Sequence, residues 1–171
     1  MKIAFLDRDG TIVKDYPDEE WKHHKHPELI PEAIDALKAL QGIGYSFMIT
    51  TNQYLIDEGF ISYNDYQEFT KKMIELYRSY GIEFLEIFYC PHSRLTHCHC
   101  RKPQTGMFEI AFKKYPALQK CMVIGDSKCD MEAAINIRAN GIAIHKRAHM
   151  NHPSIHNLKS IGYIKSILQD L

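Results

Sequence analysis

Apolar residues follow two rhythms along this chain: short unbroken runs that end in sharply polar turns, and longer stretches with apolar positions three and four residues apart. Residues 2–6 form the first run and end in Asp7-Arg8-Asp9-Gly10, which predicts a buried strand entering a turn. Residues 45–50, 84–89, 121–124 and 142–144 read as further strands. A helix is predicted over 31–40, where Pro31 suits the first helical position and Ile34, Leu37 and Leu40 share a face before Gly42 and Gly44 end it. Residues 62–80 predict a long amphipathic helix with Phe69, Met73, Leu76 and Tyr77 on one side and Gly81 at its end. Further helices are expected over 105–115, over 131–139 closed by Gly141, and from about residue 161 to the C-terminus. Strands that alternate with helices predict an α/β fold with a mainly parallel sheet, because parallel neighbours need crossover connections. Ligands then bind beyond the carboxyl ends of the strands.

Composition narrows the function. The 171 residues carry 21 Lys plus Arg against 21 Asp plus Glu, a balance that argues against a broad electrostatic grip on nucleic acid or on an acidic membrane. The length and the 45% hydrophobic content suit a single domain over residues 1–171. No apolar run approaches the roughly 20 residues needed to cross a bilayer, and two aspartates stand where a signal peptide needs its apolar segment. A cytoplasmic protein is expected. Of five cysteines, Cys90, Cys98 and Cys100 cluster in one short stretch, which in a reducing compartment points to metal before disulfide. Cys121 and Cys129 read as packing residues.

Four polar clusters stand at or near the strand ends. Asp7 and Asp9, with Gly10 and Thr11, follow the first strand; Thr51, Asn52 and Gln53 follow the second; Arg101 and Lys102 close the cysteine-rich stretch; Asp126 and Asp130 follow the fourth. Singly, each also reads as a solvated turn, a cap or a charged surface. In this order they resemble the motifs of the haloacid dehalogenase superfamily of phosphatases: DxDGT, a Ser or Thr after the second strand, a Lys, and GDxxxD. The resemblance implies a Rossmann-like, three-layer α/β/α phosphatase acting on a small soluble phosphate monoester. It implies that Asp7 attacks phosphorus to form an aspartyl-phosphate, and that Asp9 protonates the leaving oxygen and then deprotonates the hydrolytic water. Lys102 would balance charge, and Thr51 and Asn52 would donate to the phosphoryl oxygens. Mg²⁺ would be held by Asp7, the backbone carbonyl of Asp9 and Asp126, with Asp130 ligating or orienting the site. The second aspartate weighs against the dehalogenase and ATPase branches of the superfamily.

Cys90, His92, Cys98 and Cys100 form a C-x-H-x₅-C-x-C set that suits a closed, structural Zn²⁺ site; His97 and His99 are second choices. The run from Cys90 to Met107 is similar to the zinc loop of D-glycero-D-manno-heptose 1,7-bisphosphate phosphatases and of histidinol-phosphatase domains, as are Thr51-Asn52-Gln53. Gly106-Met107 leans toward the heptose group, and Arg101 is expected to meet a second phosphate, with Gln53 also at the substrate. The interval from Asp9 to Thr51 holds a helix and its loops and leaves no room for a large cap domain. Specificity would then fall to the loops over 15–27 and 54–59 and to the zinc loop, with Trp21, His23, His24 and His26 within reach of substrate or simply on the surface. A monomer is expected. The competing readings are histidinol-phosphate hydrolysis, a zinc-stapled binding module with a decayed active site, and a phosphoacceptor switch, which would not need an acid beside its nucleophile.

Overall fold

Every strand of the central sheet places side chains alternately on two buried faces, and the two faces recruit different helices. The computed structural model describes residues 1–118 and 120–171. Its strands are β1 (Lys2–Leu6), β2 (Tyr45–Asn52), β3 (Phe84–Cys90), β4 (Lys120–Gly125), β5 (Asn140–Ile144) and β6 (Ile155–Leu158). The helices are α1 (Pro31–Gly42), α2 (Tyr54–Asp57), α3 (Tyr63–Ser79), α4 (Gly106–Lys114) and α5 (Lys128–Asn136). The strands run in the order β3-β2-β1-β4-β5-β6, and every pairing is parallel. In β1, Ala4 and Leu6 join a core with Leu37 and Leu40 of α1 and Phe69, Met73 and Tyr77 of α3. Ile3 and Phe5 join a second core with Met107 and Phe108 of α4 and Met131 of α5. This is the expected three-layer α/β/α sandwich. Strand order reverses at β1 and β4, which opens a crevice at their carboxyl ends.

Local chemistry sets the helix ends. Ser62 caps α3 reciprocally: its Oγ accepts from the Asp65 N–H at 3.0 Å, and Asp65 Oδ2 accepts from the Ser62 N–H at 3.1 Å. The buried Tyr77 hydroxyl donates to the Ile12 carbonyl at 2.7 Å, which pins the turn after β1 to α3.

Several boundaries differ from the sequence expectations. β2 runs two residues further than 45–50, because Thr51 and Asn52 still pair with Tyr89 and Cys90. α5 begins at Lys128 rather than 131, since the Asp130 carboxylate accepts from the Ser127 N–H and starts the helix early. It ends before Gly141: Arg138, in the left-handed region at φ 57°, turns the chain out after Asn136. β6 is an additional strand, parallel to β5, whose four residues carry only Ile155 and Leu158 as apolar signal. The C-terminal segment Ile161–Asp170 is wound as 3-10 turns, and the three-residue spacing of Ile161, Ile164 and Ile167 suits that pitch.

Phe5 is fully buried in β1, with its ring edge-on to Phe108 at 5.1 Å and to Phe112 at 6.0 Å. Phe5→Ala is expected to cost about 3–5 kcal/mol. Leu76→Ala, on the half-exposed face of α3, is expected to stay within about 0.5 kcal/mol. Urea midpoints at constant slope check both values.

Candidate active site

Asp7 leaves β1 where its neighbour β4 delivers Asp126, so two carboxylates meet at the point of strand reversal. The Asp7 N–H donates to the Ile124 carbonyl at 2.9 Å, extending the ladder to the site itself. Lys102 enters from the far side, almost wholly buried. Its Nζ lies 2.7 Å from Asp7 Oδ1, 2.6 Å from Asp130 Oδ1 and 2.5 Å from the Thr50 carbonyl. Burial pushes the Asp7 carboxyl up to about 7, with Asp130 and Asp9 adding to the effect and Lys102 opposing it. Carboxylates of Asp7, Asp126 and Asp130 converge within 4.8 Å, a hard-oxygen set whose crowded negative charge favours a cation such as Mg²⁺. Both Asp130 oxygens are already engaged, one by Lys102 and one by the Ser127 N–H and hydroxyl, which suits orienting the site rather than ligating. Gly10 permits the close approach: its φ is +79°, and a Cβ there would meet the Asp126 carboxylate and the Arg147 guanidinium.

Asp9 is held by a side chain absent from the sequence expectations. Arg8 forks onto it, Nε to Oδ1 at 2.8 Å and Nη2 to Oδ2 at 2.9 Å, while its guanidinium lies among the Trp21, Tyr66 and Phe69 rings. Gln53, expected at the substrate, is fully buried. Its amide donates to Asp9 Oδ2 at 2.7 Å and to Thr51 Oγ1 at 2.8 Å, and its carbonyl accepts from Arg8 at 3.0 Å. Asn52 brackets the backbone of Lys102, accepting from its N–H at 2.9 Å and donating to its carbonyl at 3.1 Å.

A cavity of about 290 Å³ opens above these groups. Asp7, Asp9, Thr51, Asn52, Lys102 and Asp126 line it, as the motifs require. Its wall adds Asp15, Tyr54 and Arg147, and Cys129 faces it too rather than serving only as packing. Arg147 contacts the Asp126 carboxylate and donates from Nε to the Asp126 carbonyl at 3.0 Å; only its place after β5, at the same carboxyl edge, signals it in the sequence. Of Trp21, His23, His24 and His26 in the first loop, Trp21 alone reaches the cavity; His24 stacks on Tyr16 instead. Arg101 lies outside the lining and donates to the Ser93 carbonyl at 2.5 Å.

The four expected sulfur and nitrogen ligands come together. Cys90 Sγ lies 3.5 Å from His92 Nδ1, 3.6 Å from Cys98 Sγ and 3.0 Å from Cys100 Sγ, and His92 Nδ1 lies 3.2 Å from Cys100 Sγ. Donor spacings of about 3.5–3.8 Å suit a tetrahedral zinc ion, so the set fits with modest expansion. Burial opposes the Cys98 thiolate, but the backbone N–H groups of Arg101 and Cys100 and the neighbouring thiols outweigh it and bring the group down to about 7. His97 and His99 are exposed, and His99 pairs with Glu109 at 2.9 Å.

The chain is similar to known proteins along most of its length. The family model described as polynucleotide kinase 3 phosphatase matches residues 2–150. A probable D-glycero-D-manno-heptose-1,7-bisphosphate 7-phosphatase of Thermoplasma volcanium is 37% identical over 141 residues, covering 81% of this chain and 94% of the relative. A histidine biosynthesis bifunctional protein HisB of Blochmanniella floridana is 35% identical across 99% of this chain, which spans about half (49%) of that longer protein. The crystal structure of D,D-heptose 1,7-bisphosphate phosphatase from B. bronchiseptica, complexed with magnesium and phosphate, matches with a TM-score of 0.85 over 100% of both chains at 22% identity, a likeness of fold. With its family model matched over most of its length, the chain belongs to the polynucleotide kinase 3 phosphatase family, within the haloacid dehalogenase superfamily of phosphatases.

Proposed function

We propose that residues 1–171 act as one phosphatase domain on a small sugar phosphate, D-glycero-D-manno-heptose 1,7-bisphosphate foremost, through an aspartyl-phosphate on Asp7. The observation that carries this reading is Lys102 Nζ at 2.7 Å from Asp7 Oδ1, with Asp9 on the same turn and Asp126 opposite. A carboxylate oxygen of Asp7 attacks phosphorus, the ester P–O bond breaks, and Asp9 gives its proton to the leaving oxygen. Asp9 then takes a proton from water, which attacks the aspartyl-phosphate, and phosphate leaves with Asp7 restored. Arg8 and Gln53 fix the plane of the Asp9 carboxyl through both half-reactions. Lys102, held by Asn52 and the Thr50 carbonyl, keeps a positive charge beside the attacking group. Mg²⁺ bound by Asp7, the Asp9 carbonyl and Asp126 would neutralise phosphoryl charge and favour the ionised Asp7 that burial and the neighbouring carboxylates oppose. Zn²⁺ on Cys90, His92, Cys98 and Cys100 would order the loop that carries Lys102.

The sugar-phosphate reading is supported by the Thermoplasma relative, which the chain matches along nearly its whole length. Histidinol phosphate is the second reading, supported by the HisB relatives and by the Asp15 carboxylate in the cavity wall, which suits an ammonium group. The reading also takes the chain as a cytoplasmic monomer without nucleic-acid or membrane partners; the balanced charge supports the lack of a broad grip on nucleic acid, and no helix among the described residues is long and apolar enough to cross a membrane.

Phosphate release with Mg²⁺ present, measured against both anomers of heptose 1,7-bisphosphate, histidinol phosphate and common sugar phosphates, tests the substrate. A specificity constant for histidinol phosphate tenfold above every sugar phosphate, about 1.4 kcal/mol of discrimination, would replace the first reading with the second. Asp7→Asn is expected to lower turnover by about three powers of ten or more while the circular dichroism spectrum stays native; retention of more than about a tenth of the activity would refute the nucleophile. Elemental analysis is expected to find one zinc per chain after dialysis, and Cys98→Ser is expected to lose it.

A further inference from the structure

Two segments that wall the cavity meet the Cys/His loop at one side chain outside it. Arg94 lies in the Cys/His loop, two residues beyond His92, and is half exposed. Its Nε lies 3.1 Å from each Glu58 oxygen and its Nη2 lies 2.5 Å from Oε2, while its backbone N–H donates to Glu58 Oε1 at 2.7 Å. The same Nη2 reaches Asp18 Oδ2 at 3.1 Å. The guanidinium carbon sits 4.2 Å from the centre of the Tyr54 ring, and the Tyr54 hydroxyl donates to Asp18 Oδ1 at 2.9 Å. Ser93 adds a bond from its hydroxyl to Glu58 at 3.2 Å and one from its N–H to Asp57 at 3.0 Å. Tyr54 and Leu55 of α2 line the cavity, and Trp21 lines it from the short turn that begins at Asp18.

We propose that Arg94 is a positioning residue for substrate recognition. It clasps α2 and the Trp21 turn to the Cys/His loop, so that an ordered loop fixes the wall facing the leaving group. This rests on the phosphatase reading. A single exposed ion pair contributes little, but this one is forked, stacked on an aromatic ring and shared between two carboxylates. It joins segments far apart in sequence, and the groups assigned to the chemistry stand elsewhere, on Asp7, Asp9, Lys102 and Asp126. Arg94 bonds to none of them, so loosening it acts on the part of the substrate beyond the phosphate. Lysine cannot reproduce a planar fork that also stacks, so the guanidinium rather than its charge is the working group.

The test uses the zinc-replete protein, the ester it prefers from the panel above, and p-nitrophenyl phosphate as a small reference ester. Acrylamide quenching of Trp21, the sole tryptophan, gives a readout independent of turnover. Arg94→Ala is expected to raise KM for the preferred ester about tenfold, with kcat and both p-nitrophenyl phosphate parameters within about twofold, and to increase quenching while zinc content stays at the wild-type level. Arg94→Lys should move the same way, and Arg94→Ala with Glu58→Gln should be no worse than Arg94→Ala alone, since both remove one interaction. Equal losses on both esters, a fall in kcat alone, loss of zinc, full rescue by lysine, or unchanged KM and quenching would each overturn the clasp. If the wild-type protein cleaves p-nitrophenyl phosphate and nothing in the panel, the substrate reading fails separately, and the quenching comparison decides the clasp alone.

Discussion

A buried ammonium group organises this molecule. Lys102 Nζ donates to the Asp7 carboxylate and the Thr50 carbonyl and forms an ion pair with Asp130, and each partner arrives on a different element: Asp7 after β1, Thr50 within β2 and Asp130 in α5. Burying one lysine against a single carboxylate roughly breaks even, because desolvation consumes the Coulomb gain. Here the ammonium donates to Asp7 and to the Thr50 carbonyl and pairs with the Asp130 charge, and the excess of carboxylate keeps the protonated form strongly favoured. The arrangement stays incomplete, because Arg8 answers Asp9 while only Lys102 and Arg147 stand against the three converging carboxylates of Asp7, Asp126 and Asp130. That residue of charge makes the site receptive to a cation and, through it, to a phosphate dianion.

The sheet supplies the rigidity that such a balance needs. Parallel pairing of β1 with both β2 and β4 fixes the three strand ends in register, and each face is closed by apolar side chains. Asp7 still donates to the β4 backbone, so the proposed nucleophile is the last rung of the ladder rather than part of a loop. Geometry held in this way costs no reorganisation when charge moves.

Much of this was legible in the sequence, for a physical reason. Strand ends that meet at a reversal point must carry their polar residues immediately after an apolar run, so Asp7, Asp9, Thr51, Asp126 and Asp130 announce themselves by position. The thiol and imidazole spacing announces the Cys/His set equally, because two close pairs can share one ion. What stayed hidden depends on long-range packing. Arg147 comes into the cavity only because β5 lies beside β4, and β6 forms because β5 offers it an edge despite its own sparse apolar signal. Gln53 and Asn52 sit in the expected motif but spend their amides on Asp9 and on the Lys102 backbone. The sequence locates such side chains without saying which of several polar neighbours they satisfy. Arg8 and Arg94 illustrate the same limit, since each is read as an ordinary charge until its aromatic surroundings are known.

The division of labour between strands and loops follows from these constraints. Residues assigned to the chemistry stand on strand ends or, like Lys102, are gripped by them, whereas the outer wall of the cavity takes Trp21 from a 3-10 turn and Tyr54 and Leu55 from a four-residue helix, both tied to a loop rich in cysteine and histidine. None of these three bears enough apolar surface to hold its own shape, and no large cap presses them down. They are held by side-chain ties: Tyr54 to Asp18, Arg94 to Glu58, Ser93 to Asp57 and Glu58, and the ligand set that fits zinc. Apart from Cys90, which ends β3, these ties lie off the sheet, so the wall can change with little effect on the strand-end constellation. A fold built this way can keep phosphoryl transfer constant while it alters which ester it admits.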